Sequence, residues 1–488
     1  MKTIYKVMCI ILVLATSSCQ KWLDVKPENE QVSDLYWSNK EEVEAVLGAA
    51  YVKLRGTVET MLVWGEARGN TLQIGAYSTG DLIRLKGFSV IPTNEWTKWA
   101  DFYAVINYAN MVLRYAPDVM EKDPSFNRAV MESFRSEAYF LRALSYFYLV
   151  RTFGDIPLIL DPYQNDDQAY ELAKSPKEEV FTQIISDLTT ALDASKDTWP
   201  TIWETKGRST RWSIHALLAD VYLWTGDYDA AIISCNAVLE SGRYGLLEGM
   251  VNGDNNWFTI FGEGNTNEGI FEIQFDYTKE QTNSLVSMFG TNNKWVISPY
   301  LLLLYEENSE DIRGVDATYL EGSLQLWKYL GAEGNTTIPR PYSDQNWILY
   351  RMADIYLMKA EALIMKGQAS YGEAISLIND VRLRAGVTRP LDVETTEIAL
   401  LNALLQERSR EFAGEGKSWF DLLRVAQRND YAYKEYFIEQ VLLGAGGAST
   451  PVIQSTLRNV NSHYLPINQD EIDNNKLLLQ NPYYETLN

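Results

Sequence analysis

Histidine and cysteine are scarce in this chain of 488 residues: His215 and His463, and Cys9, Cys19 and Cys235. Two histidines are poor material for a histidine-based metal site or a His-dependent nucleophile. The sequence holds no HExxH, GxSxG or CxxC pattern, so the common zinc-hydrolase, serine-hydrolase and dithiol signatures are missing. No run reaches the roughly eighteen uninterrupted apolar residues of a membrane-crossing helix. Basic residues are outnumbered, 43 to 65, for a net charge of −22. Nucleic-acid binding, which relies on clustered Lys and Arg, is therefore not expected. The acidic balance suits solubility and a neutral ligand.

What is present begins at the amino terminus. Lys2 and Lys6 precede an apolar run from Val7 to Ala15, then Thr16-Ser17-Ser18 and Cys19. A charged start, a short apolar core and small residues make an export signal. A cysteine directly after the small residues resembles a bacterial lipobox, although Thr16 stands where Leu is usual. That reading predicts a signal peptide over 1–18, a mature chain over 19–488 and acylation of Cys19. Two or more acyl chains would anchor the protein stably to a membrane surface. Cys9 would leave with the signal, so Cys235 would have no disulfide partner and reads as a small buried hydrophobe.

Periodicity gives helices over Ser33–Arg55, Trp99–Tyr115, Phe134–Phe153 and Val180–Leu192. The third is apolar nearly all round, which marks it as buried on every side. Ile214–Trp224 and Ala230–Leu239, joined by Gly226-Asp227-Tyr228, form a tetratricopeptide-like helix pair, and Ile348–Arg384 repeats the design. The pairs are too far apart for a tandem array. The segment Gly56–Asn94 reads as a long ordered loop region, and about 242–341 as a Gly- and Asn-rich insertion with a short strand near Glu268–Phe275. A final loop-rich stretch runs from Gly444. Loops this long usually carry function. The expected fold class is mainly α: tetratricopeptide-like pairs forming a superhelical scaffold, with long loop-rich insertions and a few short strands.

Several stretches, in order, carry a resemblance. They include Leu23-Asp24-Val25-Lys26-Pro27, Trp99-x3-Tyr103-x2-Ile106-x3-Asn110, Ser136-Glu137-Ala138-Tyr139-Phe140-Leu141-Arg142-Ala143 and Arg151-Thr152-Phe153-Gly154-Asp155-Ile156-Pro157-Leu158. Further on come Tyr350-Arg351-Met352-Ala353-Asp354-Ile355-Tyr356-Leu357, Glu407-Arg408-x2-Glu411-Phe412 and Gly416-x2-Trp419-Phe420-Asp421-Leu422-x-Arg424. Together they resemble the SusD/RagB family of starch-utilisation-type nutrient-binding lipoproteins of Bacteroidota. The resemblance covers nearly the whole mature chain and implies one SusD-like domain over 19–488. It further implies a lipid-anchored protein at the outer-membrane cell surface, which captures glycan, or sometimes peptide, and lids a SusC-like TonB-dependent barrel. It implies no catalysis and no cofactor; whether loop oxygens hold calcium is not written in the sequence. The motif charges Arg142, Arg151, Glu361, Arg382, Glu407, Arg408, Glu411 and Asp421 sit in or beside apolar helices, where they must be paired. They read as scaffold.

Glycan binding needs flat rings for pyranose C–H faces, and amides, carboxylates and guanidiniums for hydroxyls. The chain has 14 Trp and 30 Tyr. In the family, ligand-binding aromatics come from two loop regions, which correspond here to about 56–98 and 242–341. The candidates are Trp64, Arg68, Asn70, Tyr77, Arg84 and Trp96 in the first, and Trp257, Tyr277 and Trp295 in the second, with Trp96 and Trp295 foremost. Two other functions compete: a protein-interaction scaffold built on the helix pairs, and a surface glycoside hydrolase using a loop carboxylate pair.

Overall fold

The computed structural model describes residues 36–163, 171–290, 292–334, 336–445 and 450–485. Cys19 and the expected export signal over 1–18 lie outside the described residues. The chain is mainly helical, as expected, and several of its long helices start where the sequence supplies a cap. Asn39 and Glu42 exchange side-chain and backbone hydrogen bonds, so the first expected helix begins at Lys40 and runs to Arg55. Asn127 caps the helix Arg128–Phe153, and Thr210 caps Arg211–Thr225.

These helices pack on one another in series. Lys40–Arg55 lies on Ala100–Lys122, which lies on Arg128–Phe153, which in turn contacts Lys177–Leu192. The tetratricopeptide-like pair Arg211–Thr225 and Tyr228–Leu239 follows. Tyr228–Leu239 then packs directly on Met352–Lys366, the first member of the second pair, whose partner is Tyr371–Arg384. Two helix pairs far apart in sequence are thus neighbours in space. The superhelix is continuous, and the insertion is looped out of it.

The helix Arg128–Phe153 buries almost every residue from Phe134 onward. The motif charges are paired inside this scaffold. Arg142 grips Asp187 through two bonds of 2.7 and 2.8 Å and donates to Asn110 Oδ1 at 2.8 Å. Glu361 accepts from Arg424 at 2.7 and 2.8 Å and from Arg428. Arg351, Arg384 and Arg313 converge on Glu411. Burial alone would raise the Glu411 carboxyl; Arg384, Arg351 and Arg313 reverse that and hold it well below the usual carboxylate range.

Two of the sequence expectations are corrected. The region 56–94 is not a long loop. It holds the helices Val58–Glu66 and Gly80–Lys86 and a short strand, Leu72–Ile74. Gly65 is there for close packing: a Cβ at that position would stand 1.8 Å from the Gly416 carbonyl oxygen. The segment beyond Gly444 likewise forms short helices, Thr450–Leu457, Gln469–Asn474 and Pro482–Glu485. The insertion does remain loop-rich. Its strand Gly269–Ile273 pairs antiparallel with Trp347–Arg351, which runs straight into Met352–Lys366. A second pairing joins Leu72–Ile74 to Trp295–Ile297, bringing the two candidate ligand regions side by side. Cys235 is buried, and burial raises its thiol. Among the described residues no helix is long and apolar enough to cross a membrane.

Candidate functional site

Six of the nine ligand candidates are core residues. Trp64 is 1% exposed, stacks on Phe102 and donates its indole N–H to the Trp96 carbonyl at 2.7 Å. Trp257 is fully buried and donates to Glu411 Oε1 at 3.3 Å. Trp295 is covered by the strand pairing with Leu72–Ile74, and Trp96 packs in a buried turn between Asn94 and Trp99. Arg68 donates to the His463 carbonyl at 2.7 Å and lies over the Trp419 ring. Asn70 donates to the Gln440 carbonyl. These indoles and polar groups anchor loops rather than face a ligand: each satisfies a burial or hydrogen-bonding need of the fold. Tyr77 (61% exposed) stands at the surface beside the Leu72–Ile74 strand, and Arg84 pairs loosely with Asp81 at 3.6 Å.

Tyr277 leads to a different place. It is 48% exposed and stacks on Tyr342, itself 50% exposed, with ring centroids 4.2 Å apart and planes at 23°. The turn that presents Tyr277 is closed by backbone bonds between Asp276 and Gln281, and the Asp276 carboxylate accepts from Thr278 N and Oγ1. The segment carrying Tyr342 is fixed in turn. Arg340 donates to the carbonyls of Phe261 and Gly262, while Asn283 donates from its backbone N–H to Ser343 O and from its side chain to Gln345 O. Two exposed rings thus form one platform on tied-down loops.

The residues flanking that platform line a hollow of about 660 Å³. Asp276 and Lys279 come from one side, Arg340, Asp344 and Asn346 from the other, and Trp203 from the helix Ile202–Gly207 closes it. Its size falls in the range of ligand pockets, about 300–1,000 Å³. Trp203 is 50% exposed, with the Lys279 ammonium 5.5 Å from its ring. Its helix is held by a Thr201–Glu204 capping box and by Lys206, which donates to the Gly269 carbonyl. A Cβ on Gly207 would come within 2.6 Å of Gln274 Cγ, so that side chain would have to shift.

The floor is a polar network. Asn346 donates to Glu272 Oε2 at 2.9 Å and to Gln274 Oε1 at 3.2 Å, and Phe275 N donates to Asn346 Oδ1. Three lining residues keep buried polar atoms with no protein partner: Asn265 Oδ1, Arg340 Nε and Gln345 Oε1. The lining charges are largely spoken for. Lys279 pairs with Asp276 at 2.8 Å and Arg340 with Asp344 at 3.6 Å. Bonds from Lys279 and Thr278 hold the Asp276 carboxyl down to about 2. Among the described residues no group of three or more His, Cys, Asp or Glu is arranged to hold a metal ion.

Sequence reading missed Trp203 and Tyr342. Trp203 lies outside both loop regions, and its only local mark is the pair Ile202-Trp203 exposed on the first turn of a capped helix. Tyr342 stands one residue past the insertion boundary, after Pro341.

Comparison with known proteins places this architecture. The family model described as the SusD family matches residues 258–484. A second, described as starch-binding associating with outer membrane, matches residues 21–223. A SusD-like protein of Formosa agariphila is 24% identical over 474 residues, covering 86% of this chain and 90% of that one. The starch-binding protein SusD of Bacteroides thetaiotaomicron is 30% identical over 165 residues, 33% of this chain and 26% of that one. Among solved structures, a SusD superfamily protein from Bacteroides vulgatus superposes with a TM-score of 0.74 at 21% identity, covering 92% of this chain and 99% of the other. A laminarin-binding SusD-like protein superposes with a TM-score of 0.70 at 24% identity, covering 92% and 100%. The chain belongs to the SusD family.

Proposed function

We propose that this chain is a non-catalytic glycan-binding protein that holds an oligosaccharide in the hollow between Trp203 and the Tyr277–Tyr342 platform. The observation that carries the reading is a hollow of ligand size lined by the exposed Trp203 indole and by amide, guanidinium and carboxylate side chains, with the exposed Tyr277–Tyr342 stack on the segments that supply its walls. Rings suit the C–H faces of a pyranose, and the floor suits its hydroxyls. The starch-binding and laminarin-binding relatives support the same ligand class. The description of the matching family, starch-binding associating with outer membrane, favours binding over cleavage. On this reading Cys19 carries the lipid anchor, and the bound glycan passes to a SusC-like TonB-dependent barrel at the outer membrane.

The test is calorimetric titration with a panel of soluble glycans, including starch and laminarin fragments, against the native chain and a Tyr277→Ala, Tyr342→Ala variant. Losing both rings should weaken binding about tenfold or more, roughly 1.4 kcal/mol, with little change in melting temperature. Unchanged affinity in the double variant would refute the assignment of the site.

A further inference from the structure

Trp203 also lines a second hollow of about 330 Å³, which shares Arg55, Trp203 and Gln274 with the first. We propose that the two are successive subsites of one groove, with Trp203 as the ridge between them, and that the ligand is a glycan chain long enough to lie across both. The inference rests on the glycan reading above and deepens it to a chain-length specificity.

The two halves differ in a way that suits one continuous chain. The second hollow has an apolar floor, Leu47, Leu54, Phe271 and Ile273, with Glu44 and Glu204 among its polar lining. Its wall is rigid. Arg208 holds Glu137 through bonds of 2.7 and 3.0 Å and stacks on Trp199 at 3.5 Å. Tyr51 donates to the same carboxylate at 2.8 Å and accepts from Ser209 N. Sugar rings carry both apolar faces and hydroxyl edges, so a chain crossing Trp203 meets an apolar bed on one side and hydrogen-bonding groups on the other. Arg55 is fixed between the two by donating its Nε–H to the Gln274 carbonyl at 2.8 Å. The walls are therefore preorganised, and each added sugar gains contacts without ordering the protein.

Gly48 provides a clean block. It lines the second hollow from the middle of the helix Lys40–Arg55, and no atom lies within 4 Å of the position a Cβ would take. Gly48→Tyr fills that space without disturbing the first hollow, and glycine in a helix interior is itself unfavourable. Gly48→Ala serves as the helix control. Malto- and laminari-oligosaccharides from the disaccharide upward are titrated into the native chain and both variants. The expected result is affinity that rises at least about tenfold with length and then levels off in the native chain and in Gly48→Ala. In Gly48→Tyr it should stay at the short-chain value. Length-independent binding, or length dependence that survives Gly48→Tyr, overturns the two-subsite proposal while leaving the binding reading intact. No binding of either series at any length overturns both.

Discussion

Replacing Glu411 by Gln removes one negative charge from a point where three guanidiniums converge. Arg313 lies 2.6 Å from Oε2, Arg351 and Arg384 share Oε1, and the Trp257 indole N–H also reaches Oε1. Carboxylate and guanidiniums are almost wholly buried. The amide keeps the shape of the carboxylate but offers one acceptor oxygen, and its NH2 faces donors. Breaking a buried ion pair from one side costs about 3–5 kcal/mol, and the remaining neighbours Glu407, Glu268 and Glu415 are already committed to Arg313, Arg351 and Arg384. Equilibrium unfolding in urea should show Glu411→Gln less stable by that amount. Adding Arg384→Gln to the same chain should cost less than the separate losses suggest, since contacting residues couple by about 0.5–3 kcal/mol. Glycan affinity of the folded fraction should be unchanged. A loss below about 1 kcal/mol, or strict additivity, would refute the view that this motif carboxylate is scaffold.

Trp295→Ala should cost about 3–5 kcal/mol, as for other buried aromatic truncations, and leave glycan affinity per folded molecule intact; thermal unfolding and titration on one preparation check both halves. His463 is buried with its Nε2 2.8 Å from the Leu457 carbonyl oxygen, and burial, with Arg68 and Lys434 nearby, lowers its imidazole to about 4. The folded chain thus binds fewer protons there than the unfolded chain between about pH 6.5 and 4, so this residue's contribution is present above that window and lost as pH falls through it. Denaturation curves of the native chain and His463→Gln at pH 7 and pH 4 should diverge by up to about 3 kcal/mol, the variant losing less on acidification; parallel losses would contradict it.

The helical scaffold was legible because its signals are local. Asn39, Thr210 and Asp227 cap helices within three residues of themselves, and the apolar run around Phe134–Phe153 states its own burial. The motif charges were legible as scaffold for a related reason: an Arg or Glu among apolar helical neighbours has to be paired. The ligand site was much less legible. Trp64 and Trp295 look like Trp in a polar loop until Phe102 or the Leu72–Ile74 strand, distant in sequence, covers them. Trp203 gains its meaning only when Arg55, Gln274 and Asp344 are brought around it. Tyr277 was singled out as an aromatic in the polar insertion, but its stacking partner Tyr342 could not be known from that segment.

The most direct test of the account is a crystal structure of the chain with the tightest-binding oligosaccharide from the titration panel. The account predicts sugar rings packed on Trp203 and on the Tyr277–Tyr342 stack, with hydroxyls bonded to Asn265, Arg340 or Gln345. A sugar bound beside Tyr77 and Arg84, with that hollow left unoccupied, would contradict it.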